Sequence, residues 1–167
     1  MGTLSKSLGG FGAYVCGSLA TREVLLNQAR SLVFSTALPP AICAAAEVAL
    51  SKLKAPGRRA ALWDRIAQLS AGLAHLGFET RPDSAVFCVR LGTPELALAA
   101  SARLREAGLL VKAIRPPTVP AGTSRLRIAV SAAHSVADVD LLLGALESVS
   151  PLPLFRTRRR EAVSLSP

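Results

Sequence analysis

Apolar and polar residues follow a regular pattern between residues 80 and 150. Apolar runs predict three strands, at residues 85–91, 109–114 and 126–131. Thr93-Pro94-Glu95 is a typical helix start, and Gly108 is a typical helix end. Ser135, with Asp138 three residues later, is the signature of a capping box for a last helix to about residue 148. The order β-α-β-β-α predicts a compact α/β unit.

The first eighty residues read differently. A short strand is predicted at residues 14–18, and Thr21 is a plausible N-cap for a helix to about Arg30. Residues 32–36 are a short apolar segment of strand or loop character. Pro39-Pro40 suits the first turn of an Ala-rich helix that runs towards residue 54.

A further helix is predicted after a break at Pro56-Gly57. Its apolar residues recur at helical spacing, at Leu62, Ile66, Leu69, Leu73 and Leu76, and Gly77 ends it. Residues 1–52 therefore look like the trailing end of a larger α/β domain. Residues 53–154 form a second, smaller α/β domain, and residues 155–167 form a tail expected to be disordered.

Composition narrows the class of protein. Half of the 167 residues are hydrophobic, 19% are charged and 4% are aromatic, which excludes a disordered chain, a collagen or a disulfide scaffold. The most apolar stretch, residues 36–50, is interrupted by Pro39, Pro40 and Glu47, so no membrane span is predicted. The start of the chain lacks the shape of a signal peptide, and we expect a cytoplasmic protein.

The three cysteines, Cys16, Cys43 and Cys88, are far apart and form no C-x-x-C pair. We expect them to be buried small hydrophobic residues in a reducing compartment, and we predict no metal site.

The chain is basic, with a formal net charge of +9. Residues 155–167 hold four arginines and one glutamate, and so account for three of these charges. The rest of the chain has no Lys/Arg stripe with interleaved aromatic residues, so we expect no nucleic-acid partner. The same charge suits an anionic substrate or cofactor.

The glycine-rich segment at residues 2–12 is the first candidate site. It holds Lys6, one of only four lysines, among small residues and the hydroxyls of Thr3 and Ser5. Small neighbours let a planar ligand approach and lower the solvation of the amine, which favours a nucleophilic lysine. The spacing fits neither a phosphate-binding P-loop nor a dinucleotide fingerprint. A solvated turn lysine remains the alternative.

A second candidate site is the proline-rich segment at residues 114–127. Its prolines predict a stiff loop that carries Arg115 and Thr118, and the following strand carries Arg127. An arginine on rigid backbone suits two-point capture of a carboxylate. The alternative is that Arg125 and Arg127 line a solvated strand face.

Three segments together resemble the α-oxoamine synthases, a family of fold-type-I pyridoxal-phosphate enzymes. Residues 2–12 resemble the family's lysine loop, and residues 34–40 resemble its phosphate loop between subunits. Residues 125–128, followed by Ser131-Ala132-Ala133-His134, resemble its carboxylate-binding strand. The run from Arg115 to Arg127 is most similar to the alanine-using member of the biotin pathway.

The resemblance implies a fold, a cofactor and a reaction. The fold is the end of a fold-type-I large domain followed by a small α/β domain, and the cofactor is pyridoxal 5'-phosphate. The reaction is a decarboxylative condensation of L-alanine with a pimeloyl thioester, carried on coenzyme A or a carrier protein. Lys6 would bind the cofactor and then act as general base at the substrate's Cα. The full-length family is expected to form homodimers.

The resemblance also implies roles for other residues. Thr3, with Ser5 beside it, would contact the cofactor phosphate, and Thr36, with Ser35, the phosphate in the neighbouring subunit. Arg127 would hold the amino acid's carboxylate. Arg115 and Thr118 would shape the substrate end of the pocket, whereas His134 is expected to be structural.

The family's features that precede the lysine have no counterpart in this sequence. They include the acidic partner of the pyridine nitrogen, the group that stacks on the ring and a first phosphate-binding turn. We therefore expect the chain to be a truncated form, inactive without a partner or the preceding half. A non-catalytic remnant or accessory module, and a glycine- or serine-using synthase, are the alternatives.

Overall fold

The computed structural model describes residues 1–53, 55–81 and 83–149. The chain forms two compact units: the first is Met1–Pro56, and the second begins at Gly57. The tail predicted at residues 155–167 lies outside the described residues.

The first unit contains a small antiparallel hairpin and three helices. They are β1 (Gly2–Thr3), β2 (Ala13–Tyr14), α1 (Leu19–Gln28), α2 (Arg30–Val33) and α3 (Pro40–Lys52). Pro40 occupies the first turn of α3, as the sequence predicts. The hairpin pairs Gly2 with Tyr14 and Thr3 with Ala13, so the glycine-rich segment becomes the loop between its strands.

Three local predictions for the first unit are wrong. The N-cap of α1 is Ser18 rather than Thr21, because the Ser18 hydroxyl accepts a hydrogen bond from the backbone N–H of Thr21. The strand predicted at residues 14–18 ends at Tyr14. The apolar segment at residues 32–36 begins inside the short helix α2, since apolar runs this short do not distinguish strand from helix.

The second unit contains three helices and a three-stranded sheet. They are α4 (Pro56–His75), β3 (Val86–Gly92), α5 (Pro94–Glu106), β4 (Lys112–Ile114), β5 (Ser124–Ala129) and α6 (Val136–Val149). The order from β3 to α6 is the predicted β-α-β-β-α. The break predicted at Pro56-Gly57 falls where the two units divide, and Pro56 is the first residue of α4, a position where proline is tolerated.

Side-chain caps explain where these helices begin and end. The Thr93 hydroxyl accepts from the backbone N–H of Leu96, at the start of α5. At the start of α6, the Ser135 N–H donates to the Asp138 carboxylate, and the Asp138 N–H donates to the Ser135 hydroxyl. This reciprocal pair is the predicted capping box. Gly77 and Gly108 follow α4 and α5 with φ of 86° and 79°, in the left-handed region that favours glycine.

The sheet has the strand order β3-β5-β4, and both pairs are antiparallel. Alternate residues of the strands are buried, including Phe87, Val89, Leu126 and Ile128. They pack in one apolar core with residues of α4, α5 and α6. The opposite face of the sheet, called here the open face, carries the exposed residues that lie between them.

The expectation that the cysteines are buried is wrong. Cys16, Cys43 and Cys88 are free and exposed. Cys16 and Cys43 lie in the first unit, where the described core is minimal. Cys88 lies between buried Phe87 and Val89, so the alternation of the strand places it on the open face.

Among residues 1–53, 55–81 and 83–149, no helix combines the length and apolarity needed to cross a membrane.

Candidate functional site

The loop between β1 and β2 holds Lys6 in a closed backbone ring. Leu4 N–H donates to the Gly12 carbonyl at 2.9 Å, and Gly10 N–H donates to the Leu4 carbonyl at 2.8 Å. Gly9 N–H closes the tip by donating to the carbonyl of Lys6 itself at 2.9 Å. These bonds fix the backbone of Lys6 and leave its side chain free to extend from the turn.

Glycine is required in this loop for two physical reasons. Gly9 and Gly12 have φ of 64° and 101°, where a side chain is strained. At Gly12 a Cβ would also lie 2.8 Å from Cδ1 of Leu38, so that side chain packs directly on the loop backbone. The segment at residues 34–40 therefore contacts the lysine loop through Leu38.

The hydroxyls of Thr3 and Ser5 lie side by side, 2.7 Å apart. The Thr3 hydroxyl also donates to the Gly12 carbonyl at 3.2 Å, and Ser5 N–H donates to Thr3 Oγ1 at 3.2 Å. Both side chains are exposed, so their hydroxyls can turn towards an anionic ligand. Thr3, Ser5 and Lys6 are thus brought together in one short loop.

The Lys6 amine is exposed rather than desolvated, which corrects the expectation that its small neighbours shield it. Within the described chain, no ion pair to it is found. The small residues of the loop let a ligand come close, but they are too short to cover the Lys6 side chain. Shielding its amine from water therefore requires protein surface that the described first unit does not provide.

Ser35 and Thr36 lie just beyond α2, and both are exposed. The Ser35 hydroxyl donates to the carbonyl of Ser31, one helical turn earlier. No hydrogen bond among the described residues joins either side chain to the Lys6 loop.

In the second unit, Arg115 and Thr118 lie in the loop between β4 and β5. Thr118 N–H donates to the Arg115 carbonyl at 3.1 Å, and the peptide bond between Pro116 and Pro117 is cis. Residues 113–118 line a shallow groove in which both the Arg115 and the Thr118 side chains are exposed.

Arg127 lies in the middle strand of the sheet, on its open face. It is exposed, and its register partners are Cys88 in β3 and Lys112 in β4. Arg125, two residues earlier, is half-buried, and its Nε donates to the Thr123 carbonyl at 2.9 Å. The sheet thus brings Arg127 together with Arg90 and Lys112, two cations that the sequence interpretation missed. Alternate residues of a strand point to opposite faces, so the alternation of apolar and polar residues in the strands could have identified them.

His134 forms a hydrogen bond within its own turn. Its Nδ1 accepts a hydrogen bond from the Ser131 N–H at 3.1 Å, and Ala133 N–H donates to the Ser131 hydroxyl at 3.3 Å. These bonds hold the turn that leads from β5 to α6. In the part of the chain that the structure describes, no group of three or more His, Cys, Asp and Glu residues could hold a metal ion.

Comparison with known proteins shows the class of protein. Residues 1–146 match the family Aminotransferase class I and II, and the chain belongs to that family. It is 56% identical over 162 residues to the 8-amino-7-oxononanoate synthase of Anaeromyxobacter sp. (strain K), covering 95% of this chain and 41% of that protein. The chain therefore spans about two fifths of that relative's length.

Solved structures give the same answer for the fold. Serine palmitoyltransferase of Sphingomonas wittichii matches with a TM-score of 0.84 and 37% identity, over 89% of this chain and 38% of that one. The 8-amino-7-oxononanoate synthase of Francisella tularensis matches with a TM-score of 0.76 and 28% identity, over 87% of this chain and 43% of that one. The predicted fold class, α/β and part of a fold-type-I enzyme, is confirmed.

Proposed function

We propose that this chain supplies the lysine loop and the carboxylate-binding strand of a pyridoxal-phosphate-dependent 8-amino-7-oxononanoate synthase. The reaction joins L-alanine to a pimeloyl thioester with loss of carbon dioxide, a step of biotin biosynthesis in the cytoplasm. The observation that carries the proposal is the closed glycine loop, which holds Lys6 in the same short turn as the hydroxyls of Thr3 and Ser5. The 56% identity to a synthase of this name supports the assignment.

The side chains of the loop suit the two parts of pyridoxal phosphate that a protein must bind, its aldehyde and its phosphate. A primary amine suits the cofactor's aldehyde, and two exposed hydroxyls suit its phosphate. The glycines next to these groups have no side chains and leave room for a flat ring to approach the backbone. Ser35 and Thr36 are proposed to reach the phosphate bound by the neighbouring subunit of a homodimer.

When bound, the cofactor supplies an electron sink for the negative charge that develops on the amino acid's Cα. The Lys6 amine holds the cofactor and, once freed, accepts the proton from that Cα as general base. Arg127 binds the amino acid's carboxylate with paired N–H donors and thereby orients the Cα. Arg115 and Thr118 line the groove that receives the rest of the substrate.

We also propose that the chain is inactive alone and acts with the remainder of a large domain. In this assignment residues 1–52 belong to the cofactor-binding domain and residues 53–154 form the small domain. Two observations support it: Lys6 is exposed to water, and large apolar side chains of the first unit, such as Leu19 at 71% and Phe34 at 77%, are exposed.

The test is to add pyridoxal phosphate to the full chain, reduce with borohydride and locate the added mass by peptide mass spectrometry. We expect the mass on the Lys6 peptide, and its loss in Lys6→Ala. Lys52→Ala, which removes an exposed lysine of α3, is the matched control and should label like the parent chain. Equal labelling of Lys6→Ala and the parent would contradict the proposal.

The second candidate function is a non-catalytic remnant or accessory module, favoured by the exposure of Lys6. It predicts no selective labelling of Lys6 at any cofactor concentration. Adding the preceding part of a relative's large domain separates the two candidates further. The synthase proposal expects thioester-dependent release of carbon dioxide that Lys6→Ala abolishes, and the remnant expects none.

A further inference from the structure

One residue engages both backbone groups of Ser131 in the turn from β5 to α6. His134 N–H donates to the Ser131 carbonyl at 3.2 Å, and Ser131 N–H donates to Nδ1 of the His134 ring at 3.1 Å. The preceding backbone N–H, that of Val130, donates to the Ala85 carbonyl, just before β3, at 2.9 Å. The His134 ring thus accepts from the first N–H beyond that bond and holds the end of β5.

This hydrogen bond requires a neutral imidazole. A ring nitrogen accepts a hydrogen bond only when it carries no proton, and both ring nitrogens are donors in the charged form. His134 and Ser131 are exposed, so water can deliver the proton to the ring. Histidine is the side chain whose charge ordinarily changes between about pH 5 and 8. Protonation of His134 therefore breaks its bond to the strand.

The charged ring has a second partner at the start of α6. The Asp138 carboxylate accepts with Oδ2 from the Ser135 N–H at 2.8 Å and from the Ser135 hydroxyl at 2.9 Å. These hydrogen bonds hold the pKa of Asp138 below its ordinary value, and the charge of His134 lowers it further. The carboxylate is therefore held in place and stays ionised while the ring gains its charge, so the two attract each other.

The surrounding elements carry other charged groups, and these are Asp83 before β3, Arg127 on β5, Arg65 on α4 and Asp140 on α6. Asp140 accepts a hydrogen bond from a glutamine amide of α4 at 2.8 Å. Asp138 is the carboxylate whose pKa responds to the charge of His134, so we take it as the partner of the charged ring.

We propose that His134 is a pH-sensitive switch at the junction of β5 and α6. The neutral ring holds the end of the strand through Ser131, and the charged ring releases the strand and pairs with Asp138 at the start of the helix. Acid therefore loosens the turn on its strand side, while the helix keeps its cap. The bond from Val130 to the segment before β3 is unaffected, so the sheet that carries Arg127 stays paired.

The first experiment measures hydrogen exchange of the Ser131 amide in the full chain by NMR, at about pH 8 and about pH 5. Protection is expressed relative to the rate of an unstructured chain at the same pH. We expect protection of this amide to fall about two- to tenfold in acid, because one exposed hydrogen bond is lost. The Val130 amide should keep its protection at both pH values.

Two substitutions separate the acceptor from the charge. His134→Asn supplies an amide oxygen that accepts from Ser131 N–H and does not titrate, so protection should persist and its pH dependence should disappear. His134→Phe keeps a ring without an acceptor, and Ser131 should be unprotected at both pH values. His75→Asn changes the other histidine of the chain, exposed at the end of α4, and should behave like the parent.

The second experiment follows the Asp138 carboxyl carbon by NMR as the pH is lowered. The pKa of Asp138 should be higher in His134→Asn than in the parent, because the carboxylate loses a neighbouring positive charge. His75→Asn should leave it unchanged. A merely structural role for the His134 ring would move neither this pKa nor the pH dependence of Ser131 protection.

Three outcomes would overturn the inference. They are Ser131 protection that does not change with pH in the parent, the same pH dependence in His134→Asn as in the parent, and an Asp138 pKa that His134→Asn leaves unchanged. Lys6→Ala should leave both measurements unchanged, so the switch and the proposed function are tested separately.

Discussion

The two units of the chain use apolar residues in opposite ways. Ala46 is the sole buried apolar side chain among the described residues of the first unit. All the others belong to the core of the second unit, where α4, α5 and α6 cover one face of the sheet. In the first unit, Leu19, Val24 and Phe34 are at least half exposed although each is as hydrophobic as its counterparts in the core.

This difference between the two units shows that burying apolar side chains requires two packed layers of secondary structure, and not apolar residues alone. The helices of the second unit meet a sheet, and their apolar stripes are covered by it. The sheet in the described part of the first unit is a hairpin of two-residue strands, too small to cover an apolar helix face. The proposed catalytic lysine therefore lies in the unit with less buried apolar surface, and shielding its amine from water requires added protein surface.

The largest expected contrast comes from truncating one leucine in each unit. Leu126→Ala empties the centre of the sheet, where the side chain is fully buried, and should cost about 2–5 kcal/mol of unfolding free energy. Leu19→Ala, at a side chain 71% exposed, should change it by less than about 0.5 kcal/mol. Urea unfolding followed by far-ultraviolet circular dichroism reports on the helices of both units, and Trp63 fluorescence in α4 reports on the second unit alone. Similar losses in both variants would refute the contrast between the units.

A smaller contrast lies within the second unit, between two helical glycines. A Cβ at Gly72 in α4 would overlap the side chain of Leu143 in α6, so Gly72→Ala should destabilise the unit by about 1–3 kcal/mol. A Cβ at Gly144 in α6 would meet no atom within 4 Å, and Gly144→Ala should stabilise by about 0.5–1 kcal/mol. Thermal melting should show shifts of opposite sign, and shifts of the same sign would disprove the close approach of α4 and α6.

Each unit has a helix capped by a serine hydroxyl, so the same Ser→Ala substitution can be made in both. Ser135→Ala removes the cap of α6 and should lower the unfolding free energy by about 1 kcal/mol. Ser18→Ala removes the cap of α1 in the first unit. It should leave the Trp63-detected transition unchanged and speed amide exchange in α1 alone. A loss of equal size from both caps would mean that the two units unfold as one.

The smallest expected effect is a pH dependence of the stability that the Asp138 carboxylate contributes at the start of α6. Hydrogen bonds from the Ser135 N–H and hydroxyl hold the pKa of Asp138 below its ordinary value. Because the folded-state pKa is the lower one, the carboxylate stabilises the fold at neutral pH. That contribution is lost as the pH falls through the lowered pKa. Asp138→Asn should thus be less stable than the parent at pH 7, and the difference should shrink in acid.

The control for this measurement is Asp64→Asn, at an exposed carboxylate of α4 for which no hydrogen bond is found in the described structure. It should track the parent at every pH. If the difference in unfolding free energy between Asp138→Asn and the parent stayed constant across the acid range, titration of Asp138 would not be its cause.

The sequence alone determined most of the local structure. The start of α5 at Thr93-Pro94 and the capping box of Ser135 and Asp138 were predictable, because a cap is formed by residues within one turn of each other. The order β-α-β-β-α followed from periodicity and turn residues. The likeness of the lysine loop to a known family also lies in contiguous residues, which is why the sequence by itself singles out Lys6.

Tertiary structure decided what depends on residues far apart in the chain. The exposure of Cys88, the opposition of Lys112 to Arg127 and the opposition of Arg90 to Arg125 depend on strand register, which no single segment encodes. The exposure of Lys6 likewise depends on what packs over the loop rather than on the loop's own residues. Local hydrogen bonds and steric limits act between neighbours in sequence, whereas burial and charge pairing arise only when distant segments meet.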